Sequence, residues 1–383
     1  MDNAIQPFAV DIPEQALEDL RRRLAQTRWP EAETCTGWDQ GMPLAYAREL
    51  TDYWSDAYDW RRCERLLNQW QHGSTEIDGV AIHFIHRVSP NPDALPLLIT
   101  HGWPGSILEF HKAIEPLADP ASHGGDPADA FHLVIPSLPG YGFSGKPTTS
   151  GTSVEKIAQM WATLMDRLGY GRYVAQGGDW GSLVTLAMAE ARPEGLAGVH
   201  VNMPIAAPDP DTMDSLTEAE QEALDALEYY QRWDSGYARQ QGSRPQTLAY
   251  CLADSPVGQM SWIVEKFCAW TDCERDGVRH PENALTRDEL LDNVMLYWLN
   301  NAAGSSARLY WESFHNTSFA PIDLPVGCSL FPKEILRTSR RWAEKRFHNL
   351  IHWNELPEGG HFAAFEQPGL YVEELRRCFR ALR

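Results

Sequence analysis

Cations are scarce in this chain. Lys and Arg number 33 against 53 Asp and Glu, a formal net charge of −20 over 383 residues. A nucleic-acid ligand demands a cationic surface to neutralise its phosphates, so the balance argues against one. Long apolar runs are missing as well. Nothing approaches the ~18 consecutive apolar residues of a membrane helix, and the start, Met1-Asp2-Asn3-Ala4, has neither the basic nor the apolar segment of a secretory leader. Cysteine is sparse and odd in number. Cys35, Cys63, Cys251, Cys268, Cys273, Cys328 and Cys378 are scattered without a C-x-x-C pair, which speaks against a disulfide framework and against a zinc site. These absences predict a cytoplasmic protein that binds neither nucleic acid nor membrane. Internal repeats and low-complexity tracts are absent too, the softest stretch being residues 119–129.

What is present is enough for a large core: 43% of the residues are hydrophobic and 11% aromatic, over a length that suggests two to three domain-sized units of about 150 residues. Residues 12–29 place Ile12, Leu17, Leu20, Leu24 and Trp29 at roughly helical spacing, with Pro30 as a stop, and helical, aromatic-rich sequence continues to about Trp70. The period then changes. Residues 80–88 alternate with period two, and residues 95–100, 131–136, 173–176 and 197–201 are short apolar runs that read as strands. Helix-length segments at 153–168 and 182–191 lie between them, the alternation of a parallel α/β sheet. From Pro204 to about Pro321 that alternation stops. A helix-rich insertion (216–233, 257–270, 288–301) takes its place and has the character of a lid. Strand character returns at 326–331 and 350–353, and a terminal helix begins at about Pro368.

Three short motifs sit at strand ends. Gly177-Gly178-Asp179-Trp180-Gly181-Ser182 follows the strand at 173–176 and opens the helix expected near Ser182, which is a nucleophile-elbow pattern with Asp where Ser usually stands. The plain alternative is a Gly-rich turn whose Asp caps the helix, and six residues do not separate the two. His101-Gly102-Trp103-Pro104-Gly105-Ser106 follows residues 97–100, where an oxyanion-hole N–H is drawn from; alone it could equally be a tight turn. Glu358-Gly359-Gly360-His361-Phe362 follows the last strand, where the histidine belongs in the chain order nucleophile, acid, base. Two other patterns mislead. His83 and His86 are three apart on a strand and so point to opposite faces, which disfavours a shared metal. Gly140-Tyr141-Gly142-Phe143-Ser144-Gly145 matches G-x-G-x-x-G, but Pro147 follows and the helix starts only near Ser153, leaving a dinucleotide phosphate without a helix N-terminus.

Taken together the motifs resemble the epoxide hydrolases of the α/β-hydrolase superfamily, in a soluble form of the microsomal-type branch that carries an N-terminal helical extension. The resemblance runs over nearly the whole chain: HGWPGS (101–106), GGDWGS (177–182), DSPVGQMSWIVEKF (254–267), LYWLN (296–300), LFPKE (330–334) and GGHFAAFEQP (359–368). It implies a mostly parallel sheet with helices on both faces and a helical lid inserted after the sixth strand. The divisions it implies are an extension at 1–73, a core at 74–203 and 322–383, and a lid at 204–321. It also implies Asp179 as nucleophile, His361 as general base and Glu334 as the acid that orients it. Asp323, Glu355, Glu358 and Glu366 compete for that last place, each with the alternative of a solvated residue, while Asn202 after the sixth strand carries no charge. The family's two epoxide-binding lid tyrosines fall on Tyr237 and Tyr310, though Tyr229, Tyr230, Tyr250 and Tyr297 share the insertion and a helical tyrosine is ordinarily a core residue. Trp103 and Trp180 supply the oxyanion-hole N–H groups, and the resemblance suggests a cis Trp103-Pro104 bond. Residues 273–287 look like a lid loop.

The chemistry is coherent. A carboxylate is ionised at neutral pH and needs no base to open an epoxide, two phenols can protonate the departing alkoxide, and the resulting ester is hydrolysed by water activated at His361. The expected product is a vicinal diol, formed without metal or organic cofactor, in detoxification or secondary metabolism. The expected partner is a small epoxide, apolar or aryl given fifteen tryptophans, although these could simply fill the core; a homodimer is left open. Haloalkane dehalogenation by the same Asp, with Trp103 and Trp180 as halide donors, and a non-catalytic binding protein of the same fold are the alternatives.

Overall fold

Polarity hides the first strands of the sheet. Residues 71–77 read QHGSTEI, yet they form a strand, because the positions that face inward are satisfied rather than apolar. His72 Nδ1 shares a hydrogen bond with His83 Nε2 at 2.8 Å, and His83 Nδ1 with Ser137 Oγ at 3.0 Å. The computed structural model describes residues 4–314 and 318–383; the chain start at residues 1–3 and residues 315–317 of the expected lid lie outside the described residues. The strands are β1 (Gln6–Phe8), β2 (Gln71–Ile77), β3 (Val80–Arg87), β4 (Leu95–Thr100), β5 (Phe131–Pro136), β6 (Tyr173–Gly177), β7 (Leu196–Val201), β8 (Glu274–Arg275), β9 (Val278–Arg279), β10 (Val326–Leu330) and β11 (Leu350–Glu355). Nine of them make one sheet in the order β1-β2-β3-β5-β4-β6-β7-β10-β11, and β8 and β9 form a separate hairpin.

From β5 to β11 every pairing is parallel, whereas β1, β2 and β3 add antiparallel strands at the other edge. Sequence shows why. The inner parallel strands are short and largely apolar on both faces, since helices cover both, and β6 is buried at all five positions. The helix Val154–Arg167 buries Ile157, Trp161, Leu164 and Met165 at three- and four-residue spacing. Its Trp161 indole donates to Thr100 Oγ1 at 3.0 Å, which fixes the helix to the end of β4.

Several expectations need correction. The first helix spans Glu14–Ala25 rather than 12–29 and ends well before Pro30. The insertion follows the sixth strand of the core, Leu196–Val201, as expected, although the unforeseen edge strand Gln6–Phe8 makes that strand the seventh in chain order. The helix after the elbow begins at Trp180, two residues earlier than expected. Besides the segments foreseen, the insertion holds the helices Gly236–Ser243, Pro245–Asp254 and Ala303–Ser313, whose mixed polarity carries no clear period. Residues 273–287, expected as loop, include β8, β9 and a short 3-10 turn, Pro281–Asn283.

The extension, with helices Glu14–Ala25, Leu44–Asp56 and Trp60–Leu67, packs on the insertion through buried polar contacts. Arg62 Nη2 lies 2.7 Å from both oxygens of Asp292, and the hydroxyls of Tyr58 and Tyr53 donate to Asp292 and Asp288 at 2.7 and 2.8 Å. These anchor the helix Arg287–Leu299, which Thr286 and Glu289 cap reciprocally. Among the described residues no helix is long and apolar enough to cross a membrane.

Candidate active site

Asp179 stands at the tip between β6 and the helix Trp180–Ala191, with φ +52° and ψ −126°. That backbone state costs an L-residue of order 1–3 kcal/mol and persists only when its surroundings impose it. They do so by close approach. A Cβ at Gly177 would lie 2.0 Å from the Gly181 carbonyl oxygen, and one at Gly181 would lie 2.0 Å from that of Thr100, so the turn can press against β4 only with glycine at both places. The side chain is thereby pushed out at the end of a helix whose N-terminus favours negative charge.

Asp179 Oδ1 accepts a hydrogen bond from the Trp103 backbone N–H at 2.7 Å. The Trp180 N–H opens the helix and so belongs to its first turn, where N–H groups have no partner inside the helix. Of the two donors that the sequence suggests, the Trp103 N–H thus meets the carboxylate, and the Trp180 N–H belongs to the residue that follows Asp179. The Trp103-Pro104 bond is cis. What holds the 101–106 loop in place was not legible in the sequence. From the helix Arg287–Leu299, Asn293 Nδ2 donates to the Pro104 carbonyl at 2.7 Å and Asn293 Oδ1 accepts from Ser106 Oγ at 2.7 Å. The Tyr297 hydroxyl donates to the Gly105 carbonyl, also at 2.7 Å.

Asp179 Oδ2 faces His361 Nε2 at 3.5 Å, and His361 Nδ1 is 2.6 Å from Glu334 Oε1. Topology brings these last two together. β10 and β11 are parallel neighbours, and their exits stay paired through a hydrogen bond from the Lys333 N–H to the Gly359 carbonyl at 3.1 Å. The His361 N–H in turn donates to the Trp270 carbonyl at 2.9 Å, tying the histidine to the end of the helix Pro256–Trp270. Burial opposes charge on the imidazole, but the Glu334 and Asp179 carboxylates on either side outweigh it and hold His361 well above its ordinary value.

Tyr237 and Tyr310 come from two of the helices that the sequence did not reveal, and both point to this place. The Tyr237 ring stacks on Trp103 with centroids 4.7 Å apart, Tyr310 meets Trp180 edge-to-face at 4.7 Å, and the two phenol rings are 5.8 Å from each other. Burial first, and then neighbouring groups that include Asp179, push both hydroxyls well above the usual phenol value, so both stay protonated donors. Tyr237 shares a hydrogen bond with Tyr230 at 3.1 Å, and the buried Tyr310 hydroxyl makes none of regular geometry. Of the other tyrosines, Tyr229 and Tyr250 are exposed and the hydroxyl of Tyr297 is engaged by Gly105.

The competing carboxylates fall elsewhere. Asp323 pairs with Arg192 and His348 at the surface, and Glu355 and Glu358 are exposed. Glu366 departs from the expectation of a solvated residue: it accepts the N–H groups of Asp272 at 2.7 Å and Phe362 at 3.0 Å, and burial pushes its carboxyl up to about 8. Asn202 accepts from Gln176 Nε2 at 3.0 Å. The 140–145 loop packs on the helix Ala303–Ser313, with Ser305 Oγ donating to the Gly140 carbonyl at 2.6 Å, and the next helix, Val154–Arg167, starts beyond it. His86 bonds to Tyr170, away from His83, and no group of three or more His, Cys, Asp or Glu able to hold a metal occurs among the described residues.

The arrangement gathers a carboxylate met by a backbone N–H, an imidazole held by a second carboxylate, and two buried phenols. The sequence model described as epoxide hydrolase N terminus matches residues 5–110, and that described as alpha/beta hydrolase fold matches residues 96–252. The chain is 53% identical over 380 residues to a protein of Stigmatella aurantiaca (strain DW4/3-1) that carries the provisional name epoxide hydrolase. That match covers 99% of this chain and 86% of the other. Epoxide hydrolase 1 of Oryctolagus cuniculus is 34% identical over 403 residues, with 98% of this chain and 88% of that protein covered. The solved structure of Aspergillus niger epoxide hydrolase matches with a TM-score of 0.89 and 31% identity, over 99% of this chain and 97% of that one.

Proposed function

Because this chain belongs to the epoxide hydrolases of the α/β-hydrolase fold and hydrolyses an epoxide to a vicinal diol, we propose that it works through an ester on Asp179. Asp179 Oδ2 attacks an epoxide carbon, the C–O bond of the ring breaks, and the alkoxide takes its proton from Tyr237 or Tyr310. The observation that carries this reading is the placement of one carboxylate with its Oδ1 on the Trp103 N–H and its Oδ2 against a histidine held by Glu334.

The proton balance is consistent with the electrostatics. His361 starts as an imidazolium between two carboxylates. Esterification removes the charge of Asp179 and with it part of what holds that proton, so His361 returns a proton to the phenol and becomes a base. It then takes a proton from water, which attacks Asp179 Cγ. The oxyanion forms on Oδ1 toward the N–H groups of Trp103 and Trp180, the departing diol oxygen takes the proton back from His361, and the proton left on the Asp179 carboxyl passes to His361, which closes the cycle. Trp103, Trp180 and Trp270 with the two tyrosines form aromatic walls that support an apolar or aryl substrate. All seven cysteines are free thiols, which supports residence in a reducing compartment.

The test is diol formation from a panel of aryl and alkyl epoxides, beside halide release from matched haloalkanes, with wild type and Asp179→Ala. Diol made by wild type and reduced by about 10⁴-fold or more in the variant is the expected result. Halide release without diol would replace the reading with dehalogenation.

A further inference from the structure

A small cavity lies against the nucleophile. Thr100, Glu109, Asp179, Asn202 and His361 are in its walls, and neither Tyr237 nor Tyr310 reaches it. The space open to a water centre is about 10 Å³, room for about one water molecule. Several of its polar atoms are already engaged: Thr100 Oγ1 by Trp161, Asn202 Oδ1 by Gln176 and Asp179 Oδ1 by Trp103. Glu109 is an ionisable group here that the reaction described above does not use.

Its position is built. Glu109 sits in the short 3-10 turn Ile107–Phe110 capped by Ser106, and its carboxyl folds back over Gly105, where a Cβ would lie 1.5 Å from Oε1. Only glycine at 105 lets the carboxyl occupy that place, beside the Ser106 backbone N–H.

We propose that Glu109 holds the water that hydrolyses the Asp179 ester, fixing it between the Glu109 carboxyl and His361 Nε2. The inference rests on the reading of Asp179 as nucleophile. The water gives one proton to His361 Nε2 as its oxygen bonds to Asp179 Cγ, and its second hydrogen is held by the carbonyl oxygen of the Glu109 carboxyl. When the ester C–O bond breaks, the diol oxygen takes the proton from His361, and the second water hydrogen, left on the Asp179 carboxyl, passes to His361, which restores both the carboxylate and the imidazolium. Burial pushes the Glu109 carboxyl up to about 8, against the opposing influence of His361. A neutral carboxyl suits this role, because it still accepts a hydrogen bond from water and adds no negative charge beside the oxyanion on Asp179. Glu109 is thus a positioning residue for the second half of the reaction, with no part in the first.

The experiment is single-turnover kinetics with styrene oxide, following the alkyl-enzyme by intact mass and the diol by chromatography, in wild type, Glu109→Leu and Glu109→Gln. Glu109→Leu should alkylate within about twofold of wild type and clear the ester about 10- to 100-fold more slowly, the cost of one lost hydrogen bond to a reacting group. Glu109→Gln keeps a carbonyl in the same place and should recover most of that rate. Wild-type ester clearance in Glu109→Leu overturns the proposal. So does equal slowing of alkylation and clearance, which marks damage to the fold rather than loss of the water. Absence of both alkyl-enzyme and diol in wild type would instead bring down the Asp179 reading itself, an outcome visible before any variant is compared.

Discussion

At the scale of single residues, the division of labour predicts which step each substitution blocks. His361→Gln leaves Asp179 and both phenols in place but removes the group proposed to activate water. Intact mass after addition of an epoxide should rise by one substrate and stay there; an unmodified mass with bound substrate would remove His361 from the second step. On the proposed mechanism Tyr237 and Tyr310 act earlier. Their buried hydroxyls stand above the usual phenol value and so remain protonated, and a positioned proton donor contributes about 10²- to 10⁴-fold. Changing both to Phe should slow alkylation by about that factor in single-turnover measurements, with less effect on the ester once formed. Tyr230→Phe removes only a neighbour of Tyr237 at 3.1 Å and should cost far less.

At the scale of elements, the helix Arg287–Leu299 carries two loads on opposite sides. The extension grips it through Arg62, Tyr58 and Tyr53, and it grips the 101–106 loop through Asn293 and Tyr297. The Trp103 N–H that meets Asp179 is thus positioned by a helix nearly 200 residues away in sequence. Asn293→Leu leaves the Ser106 hydroxyl and the Pro104 carbonyl unsatisfied in a buried place, a loss of about 1–3 kcal/mol in stability. The loosened loop should slow both half-reactions, and full activity in Asn293→Leu would show that the loop is rigid without it. Arg62→Ala is harsher on stability. It strips a buried carboxylate, Asp292, of its cation and should cost about 3 kcal/mol by denaturant unfolding.

At the scale of the whole molecule, the site gathers Asp179, Glu334, Glu109 and Glu366 around one imidazole. Burial resists so much charge, and Glu109 and Glu366 are pushed up to about 8 from an ordinary 4.5. The folded state therefore holds protons that the unfolded chain releases, so stability falls as pH rises from about 4.5 to about 8. His361, also raised, acts in the same direction: its contribution is complete below 6.5 and is lost as pH climbs through its folded value. Glu109→Gln cannot ionise and should flatten the decline by roughly one proton's worth between pH 5 and pH 8. Denaturation midpoints at pH 5, 6.5 and 8 measure it, and an unchanged slope would mean that Glu109 is ionised in the folded protein.

The alternation of strands and helices through the core, and the three loops that bear Asp179, His361 and the Trp103 N–H, were legible in the sequence. Parallel strands must be apolar throughout, and tight turns must use glycine, so both leave their mark on composition. β2 escaped because its inward His72 and Thr75 are hydrogen-bonded polar groups, β1 because it is only three residues long on an exposed edge, and the helices bearing Tyr237 and Tyr310 escaped because contacts on several sides erase the apolar period. Glu334 could be placed after a strand, but its contact with His361 exists only because β10 and β11 lie side by side. Glu109 and Asn293 gave no local signal at all. A carboxyl that closes a cavity and an amide that clamps a distant loop acquire those roles from neighbours far along the chain, and such neighbours meet only once the chain has folded.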